Sequence, residues 1–267
     1  MILDIHAYVG KWPYWPVSVS TASQLLEVLD KAQIDRAAVC STRSLFVNWE
    51  DGNQEAERAV REHSPRMIAF ACLGPLELSH TVGQGDFDFA GFAARGFRGF
   101  RLYPQHHTYH PLHEPFVDRI AEEAAVRGWP ILLPLRVLMN WGVPSLDLAC
   151  MVALVERHPR APWILAGINY FHELRAAVSL LRRHPSVYLE TSCVQGFDAI
   201  RKLVEECGSQ QLLFGSAAPL QHAGAALEKI IRSRISDSDR EAILGANASR
   251  LLRLDQKTWP ASSKCDY

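Results

Sequence analysis

Short apolar segments alternate with longer segments of helical periodicity along almost the whole chain. Each short segment is rich in β-branched or bulky apolar residues and is bounded by Pro, Gly or polar residues, which is typical of a strand that is buried on both faces. The pattern predicts eight strands, over residues 2–7, 35–41, 66–73, 97–103, 130–135, 162–167, 186–191 and 210–215.

The segments between these strands carry helix start and stop signals. Thr21, Asp51 and Ser145 are predicted N-caps, because their side chains can accept a hydrogen bond from the first helical turn. Glycines stand where three of the helices are predicted to end, at Gly96, Gly128 and Gly208. A further helix is predicted over residues 238–253, after the last strand.

Eight strands that alternate with helices predict a single-domain α/β protein, a (β/α)8 TIM barrel over residues 1–255, because right-handed crossovers close such a chain into a barrel. The length of 267 residues is usual for one such barrel. An open doubly wound sheet is the alternative, but it usually carries a glycine-rich phosphate turn after the first strand, and none is present here. Residues 256–267 are predicted to be a frayed tail.

Composition excludes several classes of partner. With 21% charged residues, 48% hydrophobic residues and a formal net charge of -1, the chain gives no reason to expect binding to nucleic acid or to an anionic membrane. It has no apolar run of the ~18 residues that span a bilayer, and its start does not resemble a signal peptide. The six scattered cysteines form no CxxC pair and are predicted to be free thiols in a reducing cytoplasm.

The opening segment LDIHAYVG runs from apolar into polar residues within the first predicted strand. Because alternate residues of a strand point to the same side, Asp4, His6 and Tyr8 are expected to face one pocket together. Two histidines in such an alternation can share one metal ion. Here a tyrosine stands where the second histidine would be.

The spacing of Asp4, His6 and Gly10 resembles the start of metal-dependent amidohydrolases, and later segments resemble the amidohydrolase-related family of hydrolases and decarboxylases. The segments that carry the resemblance are residues 95–104, 104–115, 184–192, 212–219 and 243–252. The resemblance implies a TIM barrel that acts on a small carboxylated or cyclic substrate. Barrels of this kind often pair, so a homo-oligomer is expected.

The resemblance also implies a divalent ion, which the family binds through two histidines of the first strand, a histidine of the fifth or sixth strand and an aspartate of the eighth. The matching positions here are Tyr8, Pro134, Gly167 and Ala217, so only His6 is left. A catalytic zinc site needs about three protein ligands. We therefore predict no metal and no cofactor, and Ala217 cannot replace the aspartate as a base.

His6 and Glu190 are the candidate catalytic residues, as acid–base groups near strand ends. Alternatively, His6 is a relic that hydrogen-bonds to Tyr8 or to a main-chain carbonyl, and Glu190 serves packing. The candidate substrate-binding residues, all at or just past predicted strand ends, are Tyr8, Arg101, Tyr103, Arg136, Tyr170 and Ser216.

Arg101 and Arg136 would suit a carboxylate or phosphate ligand, because a guanidinium offers a planar fork of donors. Alternatively, either arginine pairs with Glu190 or Asp4 and neutralises a buried charge. If these arginines face the pocket, the small-molecule ligand is expected to be anionic.

Three further groups of residues carry alternatives. Four histidines, at positions 106, 107, 110 and 113, either form a relocated metal site or are solvated loop residues, and the neighbouring prolines argue against a regular helix there. The aromatic loop around Trp12 and Trp15 is a lid or a subunit contact. The candidate nucleophiles are Cys40, Cys72 and Cys193, although buried free cysteines are commoner.

Two hypotheses for the function follow. The first is a divergent, metal-independent hydrolase or lyase that acts on a small carboxylated or cyclic substrate. The second is a non-catalytic descendant that binds a small molecule or supports an active partner. The first needs a pair of titratable groups that converge on the pocket, whereas the second needs only hydrogen-bond donors and apolar walls.

Overall fold

The structure is a computed structural model, and it describes residues 1–75, 87–138 and 142–254. Eight parallel strands form one sheet in chain order, which confirms the predicted (β/α)8 barrel. The strands are β1 (Leu3–Val9), β2 (Arg36–Ser41), β3 (Met67–Cys72), β4 (Phe97–Arg101), β5 (Ile131–Pro134), β6 (Trp163–Ala166), β7 (Val187–Glu190) and β8 (Leu212–Leu213).

Main-chain hydrogen bonds join the segment after β8 to β1. The amide of Ile5 donates to the carbonyl of Phe214 over 3.0 Å, and the amide of Ala217 donates to the carbonyl of His6 over 2.7 Å. The amide of Tyr8 completes the series with a 2.7 Å bond to Ala218. The first strand is therefore held on both edges, which fixes the direction of its side chains.

Helices follow most of the strands and cover the outside of the barrel. They are α1 (Ala22–Lys31), α2 (Arg43–Phe46), α3 (Trp49–His63), α4 (Phe89–Ala94), α5 (Pro115–Arg127), α6 (Leu148–Arg157), α7 (Phe171–Arg183), α8 (Ala199–Cys207), α9 (Ala223–Ile231), α10 (Asp237–Glu241) and α11 (Asn247–Leu251). A π-helical turn, Ala242–Ala246, joins the last two, so the predicted C-terminal helix is confirmed. No described helix is long and apolar enough to cross a membrane.

The helix signals were only partly correct. Thr21 caps α1 as predicted, but Asn48 caps α3 in place of Asp51, and Asp147 caps α6 in place of Ser145. All three glycines lie at helix ends, with Gly128 and Gly208 as the C-caps of α5 and α8. The predicted tail and its Cys265 lie outside the described residues.

Different apolar clusters fill the two ends of the barrel. Ile5, Phe70 and Leu213 belong to a buried cluster that packs against Ala248 and Leu251 of α11, so the C-terminal helix closes the N-terminal end of the barrel. A second cluster fills the opposite end, where the carboxyl ends of the strands meet. In TIM barrels this second end carries the active site.

Candidate active site

Strand β1 delivers three polar side chains into the barrel. Asp4, His6 and Tyr8 are buried, with at most 3% of each residue exposed. The pairing of β1 with β2 shifts register between Asp4 and Ala7, and an irregularity of this kind re-aims the side chains around it. His6 lies within that stretch.

His6 is held through both ring nitrogens. Its Nδ1 lies 3.0 Å from Oε2 of Glu190, and its Nε2 lies 2.8 Å from the hydroxyl of Tyr8. The hydroxyl of Tyr103 donates to that of Tyr8 over 3.4 Å. The predicted residues His6, Glu190, Tyr8 and Tyr103 therefore form one continuous chain of hydrogen bonds across the barrel.

Glu190 is positioned by the loop that follows β7. Its carboxylate accepts bonds from the amide of Ser192 and, over 2.9 Å, from the hydroxyl of the same residue. Gly215 passes so close that a Cβ atom there would overlap the carboxylate. Only glycine fits at this approach, so the sequence Gly215-Ser216 is part of how Glu190 is held.

The protonation states in this chain follow from burial and from partners. Burial raises the pKa of Glu190, but contact with His6 and the two donors of Ser192 outweigh it, and its pKa lies below the ordinary value. Burial lowers the pKa of His6, and Glu190 offsets this only in part. At neutral pH we assign an ionised Glu190 and a neutral His6 that carries its proton on Nδ1. Nε2 then accepts the proton of Tyr8.

Asp4 and Ser216 form a second buried pair beneath this chain. Asp4 accepts bonds from the amides of His6 (2.9 Å) and Ser216 (3.0 Å) and from the hydroxyl of Ser216. Burial raises the pKa of Asp4 to about 7, despite these three donors. Sequence reasoning placed Asp4 on this strand but did not assign it a role, since its environment comes from β8.

We expect the stability of the protein to fall as pH rises through the pKa of Asp4. The folded pKa of about 7 lies above the ordinary 3.8, so the folded state binds the proton more tightly. This contribution is complete below about pH 4 and is lost by about pH 8, and it amounts to about 4 kcal/mol. Urea unfolding of the wild type and Asp4→Asn at pH 4 and pH 8 tests it.

The Asp4→Asn variant is matched because its Oδ1 can accept the same two amide bonds and it cannot ionise. Its stability relative to the wild type should therefore improve between pH 4 and pH 8. A stability difference that does not change with pH would mean that Asp4 is ionised throughout.

Arg101 lies beneath Tyr8 and is fully buried. Its guanidinium donates to main-chain carbonyls of β1 and β2, at Ala7 (3.1 Å), Ile5 (3.4 Å) and Ala38 (2.8 Å). It makes no ion pair with Glu190 or Asp4, so the charge-neutralising alternative is wrong for this arginine. Its Cζ lies 5.3 Å from the ring centre of Tyr8. Burial raises the pKa of Tyr8 well above its ordinary value, and the positive charge of Arg101 offsets this only in part.

Arg136 and Tyr170 lie in a separate cluster with Glu173. Both terminal guanidinium nitrogens of Arg136 donate to the carboxylate of Glu173, one of them over 2.8 Å. The Cζ of Arg136 lies 5.0 Å from the ring centre of Tyr170. Burial raises the pKa of Glu173, but Arg136 and two main-chain amides lower it to about 2. The charge-neutralising alternative is thus correct for Arg136, with a partner that sequence reasoning missed. Glu173 occupies the third position of α7, which is a capping-box spacing.

Three of the four positions that match the family's metal ligands, Pro134, Gly167 and Ala217, carry no side-chain donor. Ala217 has a positive φ of 54° and Pro134 ends β5. At Gly167, with a φ of 69°, a Cβ atom would overlap the carbonyl of Arg136, so no side chain fits there. Among residues 1–75, 87–138 and 142–254, no three His, Cys, Asp or Glu side chains are grouped to hold a metal ion. The donor set around His6 therefore does not fit a divalent ion.

We expect Gly167→Ala to destabilise the protein by about 2–3 kcal/mol, because the added methyl meets the carbonyl of Arg136 and the backbone is left-handed. Gly142→Ala is the control. Its φ of 78° is similar, but nothing lies within 4 Å of the added atom, so it should cost only about 1 kcal/mol. Equal losses in thermal unfolding would show that the loop after β6 can move aside.

An aromatic cluster covers the mouth of the barrel. Trp12 is only 6% exposed and packs edge-on against Phe46, with ring centres 5.0 Å apart, and lies 6.4 Å from the ring of Tyr8. Tyr14 contacts both rings, with its ring centre 5.4 Å from that of Phe46 and 6.2 Å from that of Trp12. The aromatic loop thus lies as a cover over Tyr8, in agreement with the lid alternative, whereas Trp15 stays 43% exposed.

The four loop histidines do not converge. His107 is half-buried and its Nε2 bonds to the carbonyl of Ser44 over 2.8 Å, and burial lowers its pKa. The expectation of a solvated side chain is therefore wrong for His107. His110 and His113 are exposed and stack with ring centres 4.5 Å apart.

The candidate nucleophilic cysteines differ in their environments. Burial raises the pKa of Cys193 to about 12 and that of Cys72 well above its ordinary value, which disfavours their thiolates. Burial also acts on Cys40, but its contact with Cys72 and the charge of Arg101 lower its pKa overall. All five described cysteines are free thiols.

Comparison with known proteins places this geometry in a family. The sequence model of the amidohydrolase family matches residues 43–254, a range that begins after the strand carrying His6 and Tyr8. A search of curated protein sequences gives no match to the chain.

Solved structures with the same fold cover nearly the whole chain. The 5-carboxyvanillate decarboxylase of Sphingomonas paucimobilis is 15% identical, with a TM-score of 0.70, over 94% of this chain and 98% of that one. The 2,6-dihydroxybenzoate decarboxylase of Rhizobium is 16% identical, with a TM-score of 0.68 over 95% and 98%. A probable 2-pyrone-4,6-dicarboxylic acid hydrolase of Acinetobacter baumannii, with citric acid bound, is 15% identical, with a TM-score of 0.66 over 94% and 99%.

Proposed function

The chain belongs to the amidohydrolase family, and from this membership and its altered barrel mouth we propose a divergent hydrolase or lyase that works without the family's divalent ion. Its substrate is a small carboxylated or cyclic compound. The names of three structural neighbours support this class, since each acts on a small carboxylated compound. Structural similarity at 15–16% sequence identity shows only the fold. The proposed chemistry therefore depends on the residues of the pocket.

The observation that carries the proposal is the engagement of both nitrogens of His6. A histidine that serves a metal leaves one nitrogen free for the ion. Here Glu190 holds Nδ1 and Tyr8 holds Nε2. This is the arrangement of a hydroxyl, an imidazole and a carboxylate that moves protons in metal-free enzymes.

In this relay Tyr8 is the residue that exchanges a proton with the substrate. When its proton moves to Nε2 of His6, the imidazolium that forms is stabilised by Glu190 at Nδ1. Burial raises the pKa of Tyr8, and the hydroxyl of Tyr103 and the nearby charge of Arg101 offset part of that cost to the phenolate left behind. The phenolate takes a proton from the substrate or from the attacking water. Tyr8 then donates that proton to a carbon or oxygen of the product, and His6 returns its own proton to Tyr8, which restores the starting state.

Arg101 favours the binding of an anionic substrate through its electrostatic field and not by direct contact. Its donors are directed to main-chain carbonyls below Tyr8, and no carboxylate pairs with it among the described residues. The unpaired positive charge favours an anion that enters above Tyr8. The aromatic cover of Trp12 and Phe46 suits a flat ring in that position.

A non-catalytic descendant, which binds a small molecule or supports a partner, is the second candidate, and one observation favours its partner-supporting form. Tyr8, Tyr103 and Glu190 are each at most 1% exposed, beneath the cover of Trp12. Turnover requires that the aromatic loop opens, whereas a descendant that only supports a partner does not.

The compartment and assembly follow as smaller proposals. Free thiols at all five described cysteines support a cytoplasmic protein, because disulfides are usual in oxidising compartments. We also infer a homo-oligomer, as is expected for barrels of this kind.

A screen of small acids tests the proposed function. Protein treated with a chelator is incubated with hydroxybenzoates, their carboxylated derivatives and pyrone dicarboxylates, and binding is followed by thermal shift and turnover by absorbance. The proposal expects turnover that is unchanged by the chelator. Turnover only after zinc or manganese is added would contradict it, and binding without any turnover would favour the second candidate.

A further inference from the structure

A groove on the outer wall of the barrel lies apart from the strand ends. It runs between α7 and α8, is open to solvent on one side and has a volume of about 930 Å³. Cavities that bind small molecules are usually about 300–1,000 Å³ and mostly apolar. Its lining comes from these two helices and residues 195–197, and none of the relay residues contributes to it.

The walls of this groove are apolar and its rim is aromatic. Leu174, Val178 and Leu203 line the walls. Phe171 and Phe197 stand at the rim and are 75% and 82% exposed. Two exposed phenylalanines beside one apolar cavity are costly in water, and such patches mark binding sites.

The charges around the groove are unbalanced. Arg182 pairs with Glu206, and Arg183 pairs with Glu156 over 2.8 Å. Glu205 is paired with Arg201. The acidic residues of the lining are therefore already neutralised.

Arg175 and Lys202 also line the groove, and among the described residues neither has an ion-pair partner within 4 Å. Both side chains are exposed. The chain as a whole has a formal net charge of -1, so this local excess of positive charge is a feature of the groove and not of the protein in general.

We propose that the groove between α7 and α8 binds a free carboxylate that carries an extended apolar part. The apolar part lies along Leu174, Val178 and Leu203 under the phenylalanine rim. The carboxylate is held by Arg175 and Lys202. An uncharged or cationic molecule of the same shape would gain the apolar contacts but not the ion pair.

Titration with decanoate, followed by calorimetry, tests this proposal on the full chain. We expect one site with a dissociation constant below about 1 mM. Decyltrimethylammonium has the same chain with the opposite charge, and it should bind at least about tenfold more weakly. Absence of decanoate binding, or equal binding of the two amphiphiles, would overturn the proposal.

Two variants assign the binding to this groove. Arg175→Gln with Lys202→Gln removes both cations, and Ser179→Glu places a negative charge on an exposed helical position of the lining. Each should weaken decanoate binding at least about tenfold. Arg58→Gln with Arg61→Gln, the same change of charge at exposed positions of α3, should leave binding unchanged. Wild-type affinity in both groove variants would show that decanoate binds elsewhere and would refute the assignment.

Discussion

Replacing Arg101 by methionine is expected to destabilise the protein by about 3 kcal/mol or more. The substitution removes the donors to the carbonyls of Ile5, Ala7 and Ala38, which stay buried in the barrel. Each unsatisfied buried acceptor costs about 1–3 kcal/mol, and relief from burying the guanidinium charge offsets only part of that cost. Urea unfolding at pH 7 measures the loss.

Arg98→Met is the matched control for this prediction. Arg98 lies on the same strand, is exposed, and donates to the carbonyl of its neighbour Phe97. Its replacement should change stability by less than about 0.5 kcal/mol. If Arg101→Met were as stable as Arg98→Met, the carbonyls of β1 and β2 would not depend on the guanidinium.

Tyr8→Phe is expected to lower kcat by about 10²–10⁴-fold on the substrate that the screen of acids identifies. The substitution keeps the ring beneath Trp12 and removes only the hydroxyl that bonds to Nε2 of His6. Because the apolar contacts remain, KM should change little. Steady-state kinetics of the two proteins separates these effects.

Tyr103→Phe is the control for the relay, because Tyr103 contributes a single long bond of 3.4 Å to Tyr8. It removes one donor and leaves the bond between Tyr8 and His6 in place, so the loss should be less than about tenfold. Full activity of Tyr8→Phe would show that another group moves the proton.

The fold was predictable because each buried strand is a short apolar run between polar boundaries. The largest difference between a predicted and an observed strand is at β8. It is predicted over residues 210–215 and observed as Leu212–Leu213. After Leu213 the chain leaves its pairing with β7. The amide of Phe214 donates to the carbonyl of Ile243, and the amide of Ala217 donates to the carbonyl of His6 in β1. Such bonds come from tertiary structure and leave no periodic signal.

Helix starts were less predictable where several capping residues stand close together. Asn48 and Asp51 both suit an N-cap, and the structure uses Asn48, which accepts bonds from the amides of Glu50 and Asp51. Asp51 lies inside the first turn, where its charge still favours the helix dipole. The pattern identifies the helix but not which of the two residues caps it.

The part of the site that lies on one strand was predictable from the alternation of its side chains. The alternation of β1 placed His6 and Tyr8 on one side, and the structure brings Glu190 to them. The partners of the arginines were not predictable, because Arg101 bonds to carbonyls and Arg136 bonds to Glu173. The bonding partner of a long side chain depends on which distant elements of the sequence pack beside it.

The metal content of the protein decides whether its barrel mouth works without a divalent ion. The wild type is purified without chelator, incubated with zinc and manganese, dialysed and measured by elemental analysis. A double variant, Tyr8→His with Ala217→Asp, gives His6 two further ligands and serves as the matched comparison, because about three protein ligands hold zinc. We expect no stoichiometric metal in the wild type and retention of metal by the double variant. Close to one tightly bound equivalent in the wild type would contradict it.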